Sequence, residues 1–272
     1  MKLMGIVNVT PDSFSDGGLY LDSDAAIAHG RSLVAEGADV VDVGGESTRP
    51  GAAAVPADEE VRRIAPVVRE LADSGAVVSI DTSKAVVAAA ALDAGASIVN
   101  DVTAFAADPE LADLCADRGC DTILMHMQGT PRTMQENPAY DDVVDDVKAF
   151  LAERIELACA HGVAEERIWV DPGIGFGKTL EHNLELLRRL GELRDLGRPV
   201  MVGTSRKSFL GRLTGRAADE RLGGTVASNV IALLNGADAF RVHEVREVHE
   251  ALVVAETILG RREWETDERF AG

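Results

Sequence analysis

Short apolar runs rich in Val and Ile alternate along the chain with longer segments whose apolar positions recur every three or four residues. Eight of the short runs read as strands, at residues 3–8, 40–43, 77–80, 97–100, 121–125, 168–170, 199–202 and 237–242. Each is followed by a helix-like stretch, so the pattern counts eight of each. Nearly continuous apolar strands are buried on both faces, and helices between them imply parallel pairing through right-handed crossovers. Four strands are introduced by one phrase, Glu36-Gly37-Ala38-Asp39, Asp93-Ala94-Gly95-Ala96, Arg118-Gly119-Cys120-Asp121 and Asn235-Gly236-Ala237-Asp238. In each the glycine falls where a helix must stop, supplying a left-handed turn before the next strand. The acidic run 141–146 reads as the first turn of a helix, where the macrodipole favours negative charge. No Pro/Ser/Gly-rich linker divides the chain, so residues 1–272 are expected to form one α/β domain, a (β/α)8 TIM barrel. A doubly wound open sheet shares the alternation; the eight units and the strand-end pattern below favour closure.

Composition narrows the partners. Apolar residues make up 46% of the 272 positions but aromatic ones only 4%, so Val, Ile, Leu and Ala must fill the interior. With 27 basic against 46 acidic residues the net charge is -19, which argues against nucleic acid or an anionic membrane surface as partner. Lysine occurs at Lys2, Lys84, Lys148, Lys178 and Lys207 alone, and this acidic, lysine-poor balance suggests a halophilic cytoplasm. Cys115, Cys120 and Cys159 lack metal-type spacing and are an odd set, so plain thiols are expected. The apolar N-terminal run is too short for a secretion signal and no stretch approaches a membrane span, which places the chain in the cytosol.

In a barrel the strand C-termini share one face, and catalytic groups come from several of them. All eight predicted ends are polar: Asn8; Gly44-Gly45-Glu46-Ser47-Thr48-Arg49; Asp81-Thr82-Ser83-Lys84; Asn100-Asp101; Met125-His126; Asp171-Pro172-Gly173; Ser205-Arg206-Lys207; and Arg241-Val242-His243. Such residues also cap helices and make turns, so one end alone means little. A carboxylate directly after a β-branched run, as at Asp81 and Asp171, is costly to bury without a hydrogen-bonding ligand. Two carboxylates, the Asn100 amide and Lys207 in one pocket match a flat heterocycle with several N–H donors along an edge, such as a pterin. Asn8, Arg49, Arg241 and His243 form a polar, cationic rim suited to an anion such as diphosphate. The glycines at 173–177 lack P-loop spacing and read as turn formers that let the chain pass close to a ligand.

Taken together, Asn8-Val9-Thr10-Pro11-Asp12-Ser13-Phe14-Ser15-Asp16-Gly17-Gly18, Gly44-Gly45-Glu46-Ser47-Thr48-Arg49-Pro50-Gly51, Asp171-Pro172-Gly173-Ile174-Gly175-Phe176-Gly177-Lys178 and Ser205-Arg206-Lys207-Ser208 resemble the signatures of the dihydropteroate synthases. These are pterin-binding enzymes of the folate pathway, and the resemblance spans Gly5 to His243. It implies condensation of 6-hydroxymethyl-7,8-dihydropterin diphosphate with p-aminobenzoate. By similarity, Asp81, Asn100, Met125, Asp171 and Lys207 hold the pterin, while Asn8, Thr48, Arg49, Arg241 and His243 grip the diphosphate. Asn8 is the implied Mg²⁺ ligand. Phe14, Thr48, Phe176, Ser205 and Lys207 form the implied aminobenzoate pocket, and Asp81, Asp171, Lys207, Asp16 and Arg49 the implied catalytic set. A homodimer is also implied. Two alternatives are a methyltetrahydrofolate methyltransferase-type barrel, which has no use for a diphosphate grip, and a pterin-binding homologue without catalysis.

Overall fold

A computed structural model describes residues 1–10, 18–47 and 54–263. Eight parallel strands, β1 (Lys2–Asn8), β2 (Val40–Gly44), β3 (Val78–Asp81), β4 (Ile98–Asp101), β5 (Asp121–Met125), β6 (Ile168–Asp171), β7 (Met201–Val202) and β8 (Ala239–Val242), pair in the order β6-β5-β4-β3-β2-β1-β8-β7. The ring closes where Val170 bridges Val200 in parallel, with the Val170 N–H donating to the Pro199 carbonyl at 3.0 Å. The expected (β/α)8 barrel is therefore the observed fold, and the open doubly wound sheet is excluded by that closure.

Crossovers run through α1 (Gly18–Ala35), α2 (Ala57–Asp73), α3 (Ala85–Asp93), α4 (Glu110–Arg118), α5 (Val143–Ala160), α6 (Leu180–Arg188), α7 (Ser208–Thr214) and α8 (Leu222–Leu234), and α9 (Val245–Ile258) completes the ring. The described residues thus hold nine α-helices rather than the eight expected. The last crossover is broken because Gly215 adopts φ +71°, a left-handed cap that ends α7. The glycines of the repeated phrase behave as read: φ is +107° at Gly37, +111° at Gly95, +58° at Gly119 and +102° at Gly236. The acidic run begins α5 with Asp142 as N-cap, its carboxylate accepting the N–H groups of Val144 and Asp145.

Two apolar layers result. The larger lies between sheet and helices and includes Val7, Val41, Val43, Ile64, Leu71, Ile80, Leu124, Leu186 and Phe240. The smaller fills the barrel itself, where Met4, Val40, Ile123, Met201 and Ala239 pack with Ile98 and Trp169. Because side chains alternate along a strand, this inner plug fixes which later residues also face inward.

Candidate functional site

Two residues beyond four of the plug residues the inward row turns polar. Val40 is followed on its face by Asp42, Ile98 by Asn100, Trp169 by Asp171 and Ala239 by Arg241, and Met4 leads through Ile6 to Asn8. Strand register aligns these groups: Asn8 lies opposite Gly44, Gly44 opposite Asp81, and Asp81 opposite Asn100. Met125 lies opposite Asp171. The C-terminal mouth therefore collects in one ring the polar groups that the sequence scatters over more than two hundred positions.

At its centre, Arg241 spans two carboxylates, with Nε 2.6 Å from Asp42 Oδ2 and Nη2 2.7 Å from Asp81 Oδ2. Asn100 donates from Nδ2 to the same Asp42 oxygen at 3.0 Å, which leaves its Oδ1 as the acceptor face of the amide. Asp42 is 0% exposed and Asp81 7%. Their second oxygens, Asp42 Oδ1 and Asp81 Oδ1, are buried without a hydrogen-bond partner, an expensive arrangement unless a ligand donates to them. Burial pushes the Asp81 carboxyl up to about 7; Arg241 opposes that rise, and the neighbouring charge of Asp42 adds to it. Burial also pulls the Arg241 guanidinium down, but Asp42 and Asp81 outweigh it and hold the group above its ordinary range.

Asp171 is buried and accepts the Gly173 N–H at 2.7 Å through Oδ1. Burial raises its pKa against that bond and against the charge of Lys207. The Lys207 ammonium is held down to about 8 by burial, with Asp171 opposing, and its Nζ stands 4.0 Å from the centroid of the Phe176 ring. Phe176 is placed by a stitched loop. Gly173, Gly175 and Gly177 have φ of +68°, +86° and +62°, and the Gly175 N–H and carbonyl are bound by Asn183 and Gln135 at 2.6 and 2.8 Å. Tyr140 donates to the Gly177 carbonyl at 2.6 Å. Lys178, buried, donates to the Phe176 carbonyl at 2.9 Å and meets His126 Nδ1 at 2.9 Å. Burial lowers both groups, Lys178 to about 7 and His126 to about 3.

On the far side of the mouth, Ser205 Oγ lies 2.9 Å from His243 Nδ1 and 3.1 Å from Glu244 Oε2, and accepts the His243 N–H at 3.2 Å. A hydroxyl has one proton; given to Glu244, it requires that His243 Nδ1 carry the hydrogen between them. Glu244 also binds Arg206, which is held at φ +57°, so residues read separately as aminobenzoate and diphosphate ligands form one unit. Phe14, Asp16, Thr48 and Arg49 lie outside the described residues. Among the described residues no three His, Cys, Asp or Glu converge on a metal position. Asn8, at the end of β1, carries one amide oxygen, a donor that suits a cation held mainly by phosphate and water rather than by a protein cage.

The sequence pattern groups Arg241 with the expected anion grip; its guanidinium lies against Asp42 and Asp81, so the expected anion and heterocycle subsites meet at this residue. It also gave no role to Asp42, although a carboxylate two residues before Gly44 on a Val-rich strand already signals an inward polar position. Lys178 carries no assigned role in the sequence pattern, and no local pattern shows that its amine folds back onto the Phe176 carbonyl.

A closed (β/α)8 barrel whose mouth gathers buried carboxylates and an amide beside a half-buried lysine has the convergent polar groups of a small-molecule pocket. Residues 4–243 match the family described as pterin binding enzyme. The dihydropteroate synthase of Escherichia coli (strain K12) is 46% identical over 262 residues, covering 96% of this chain and 93% of its own. Two Xanthomonas albilineans dihydropteroate synthase structures superpose closely. The one with 4-aminobenzoic acid has a TM-score of 0.90 at 47% identity, covering 95% of this chain and 93% of its own. The one in complex with 7,8-dihydropteroate has a TM-score of 0.87 at 44% identity with the same coverage. The chain belongs to the pterin-binding enzymes and, within them, to the dihydropteroate synthase family.

Proposed function

We propose that this protein is a transferase that condenses 6-hydroxymethyl-7,8-dihydropterin diphosphate with p-aminobenzoate, giving 7,8-dihydropteroate and diphosphate for folate biosynthesis. The observation that carries this reading is the buried ring itself: unpartnered oxygens on Asp42 and Asp81 beside Asn100, Asp171 and Lys207, in a member of this family. Asp81 and Asp171 receive the N–H groups of the pterin, Asn100 presents its carbonyl, Lys207 donates to ring acceptors, and Met125 packs on the ring.

The methylene C–O bond breaks first and diphosphate departs toward Asn8, Thr48, Arg49, Arg241 and His243. Mg²⁺, held by Asn8 when bound, supplies neutralisation of the leaving group's charge. The pterin methylene cation left behind is stabilised by the fixed carboxylates of Asp81 and Asp171 without a covalent bond to either. The arylamine, seated by Phe14, Thr48, Phe176, Ser205 and Lys207, attacks that carbon through its nitrogen lone pair and releases its proton to solvent. Asp16, after β1 in the sequence, and Arg49, after β2, serve the step, and the enzyme needs no nucleophile of its own.

Two broader readings accompany this one. Ile231 and Leu234 on α8 and Val254 and Ile258 on α9 are exposed apolar side chains, which supports a homodimer through outer helices. The net charge of -19 supports work in a salt-rich cytoplasm. No helix of the described residues is long and apolar enough to cross a membrane.

The test is diphosphate release by the purified chain with the pterin diphosphate, in the presence and absence of p-aminobenzoate, with dihydropteroate quantified. Amine-dependent release with equimolar dihydropteroate is expected. Pterin binding without product would instead identify a binding protein that has lost catalysis.

A further inference from the structure

Lys84 lies at the mouth, on the turn between β3 and α3, and none of the roles above uses it. Its ammonium reaches three acceptors on different segments: the Glu46 carboxylate, Glu60 Oε2 at 2.7 Å and the Val55 carbonyl at 2.7 Å. Glu60, on α2, is 1% exposed, and its other oxygen accepts the Thr82 hydroxyl at 3.0 Å. Thr82 Oγ1 in turn accepts the Lys84 N–H at 3.3 Å. Glu46 closes the knot by accepting the Val55 N–H at 3.3 Å. Gly45 is part of the same packing, since a Cβ there would stand 2.8 Å from both Glu60 Cγ and Ile64 Cγ2, and Arg63 donates to its carbonyl at 3.1 Å. The stretch leaving β2 and the stretch entering α2 are thus tied to each other, to α2 and to the β3 end through one ammonium.

Buried ion pairs add little stability over apolar packing of the same volume, and where they persist they can specify one arrangement. Here the arrangement specified is the pair of feet, Glu46 and Val55, between which the sequence carries Thr48 and Arg49.

We propose that Lys84 is a positioning residue for the condensation: it clamps Glu46 and Val55, which flank Thr48 and Arg49 in the sequence, and so serves the arylamine and diphosphate step without touching either substrate. The inference rests on the roles given to those two residues above. Pterin affinity, carried by the strand-end ring, is independent of it.

Lys84→Met, Lys84→Arg and Glu46→Gln in the full chain test it by three measurements: the dissociation constant of a dihydropterin lacking diphosphate, KM and kcat with p-aminobenzoate, and hydrogen–deuterium exchange of residues 44–56. Lys84→Met is expected to leave pterin affinity within about twofold, raise KM for the arylamine about tenfold or more and speed exchange in 44–56 alone. Lys84→Arg should recover part of the KM. If Lys84→Met does not fold, Glu46→Gln carries the same expectation at smaller amplitude. Unchanged KM and exchange overturn the inference, as does a parallel loss of pterin affinity and melting temperature, the mark of a merely structural lysine. A wild-type chain that makes no dihydropteroate overturns the functional reading and this inference with it. Normal wild-type turnover with unaltered variants overturns the inference alone.

Discussion

Asp42 shows how much one buried side chain can govern at this mouth. A single carboxylate oxygen receives both Arg241 Nε and Asn100 Nδ2, so it orients the amide and anchors the guanidinium at once. Truncating Arg241 would leave a 0%-exposed Asp42 without its cation, a loss of about 3–5 kcal/mol. Arg241→Ala should therefore lower stability to urea by that amount and weaken pterin binding as well as turnover. Arg241→Lys, which keeps the charge but not the two-armed geometry, should recover part of the stability. A variant as stable as the parent would refute the bridge.

The pH dependence is set by the same ring. Asp81, with a pKa raised to about 7, gives up its proton as pH rises through that value and becomes the better acceptor; Lys207, depressed to about 8, loses its charge on the next rise. kcat/KM should follow a narrow bell between these limbs, and Asp81→Asn should abolish the acid limb in any residual activity. For stability the raised value acts in the opposite direction. Between the unfolded carboxylate's ~4 and the folded 7 the native chain holds a proton that the unfolded chain has released. This group's contribution accordingly falls as pH rises through that window, and thermal unfolding of wild type and Asp81→Asn across it would reveal the difference.

Among the elements, the loop after β6 is held by close backbone packing. At Gly173, φ is +68° and a Cβ would fall 1.9 Å from the His126 carbonyl oxygen, whereas at Gly197, φ +67°, nothing stands within 4 Å. The two alanine substitutions separate backbone strain from collision. Gly197→Ala should cost about 1 kcal/mol. Gly173→Ala should cost several times as much and abolish pterin binding by displacing Asp171, whose carboxylate is held by the Gly173 N–H. Denaturation midpoints for the pair, with pterin titrations, provide the check; equal costs would refute the close approach. β7 is an element the pattern overstated: expected over 199–202, it is confined to Met201–Val202, with Val200 reduced to the bridge that closes the ring. Pro199 has no N–H to give to a ladder, so regular pairing cannot extend across it.

At the scale of the whole molecule, a charge of -19 on 272 residues opposes compaction. Raising salt from 0.1 M to 1 M shortens the screening length from about 10 Å to about 3 Å, which relieves that repulsion while leaving buried pairs such as Arg241–Asp42 largely unscreened. Melting temperature should rise with potassium chloride over this interval and activity should persist. A protein equally stable at low ionic strength and inactivated in molar salt would contradict the halophilic reading.

What the sequence determined by itself was the barrel and the polar strand ends that gather at its mouth, Asp42 excepted. Eight apolar runs, the repeated glycine phrase and a polar residue at each strand end follow from local periodicity and turn chemistry, and those signals are written within a few neighbouring positions. Asp81, Asn100, Asp171 and Lys207 were legible for that reason. The tertiary structure alone decided who touches whom: that Arg241 reaches across to Asp42 and Asp81, separated from it by 199 and 160 positions, that Lys178 turns back onto the loop carrying Phe176, and that Lys84 ties Glu46 to Val55. Those contacts depend on barrel closure and strand register, which bring distant residues within hydrogen-bond reach. The cost of burying each charge then selects partners that no local pattern can specify.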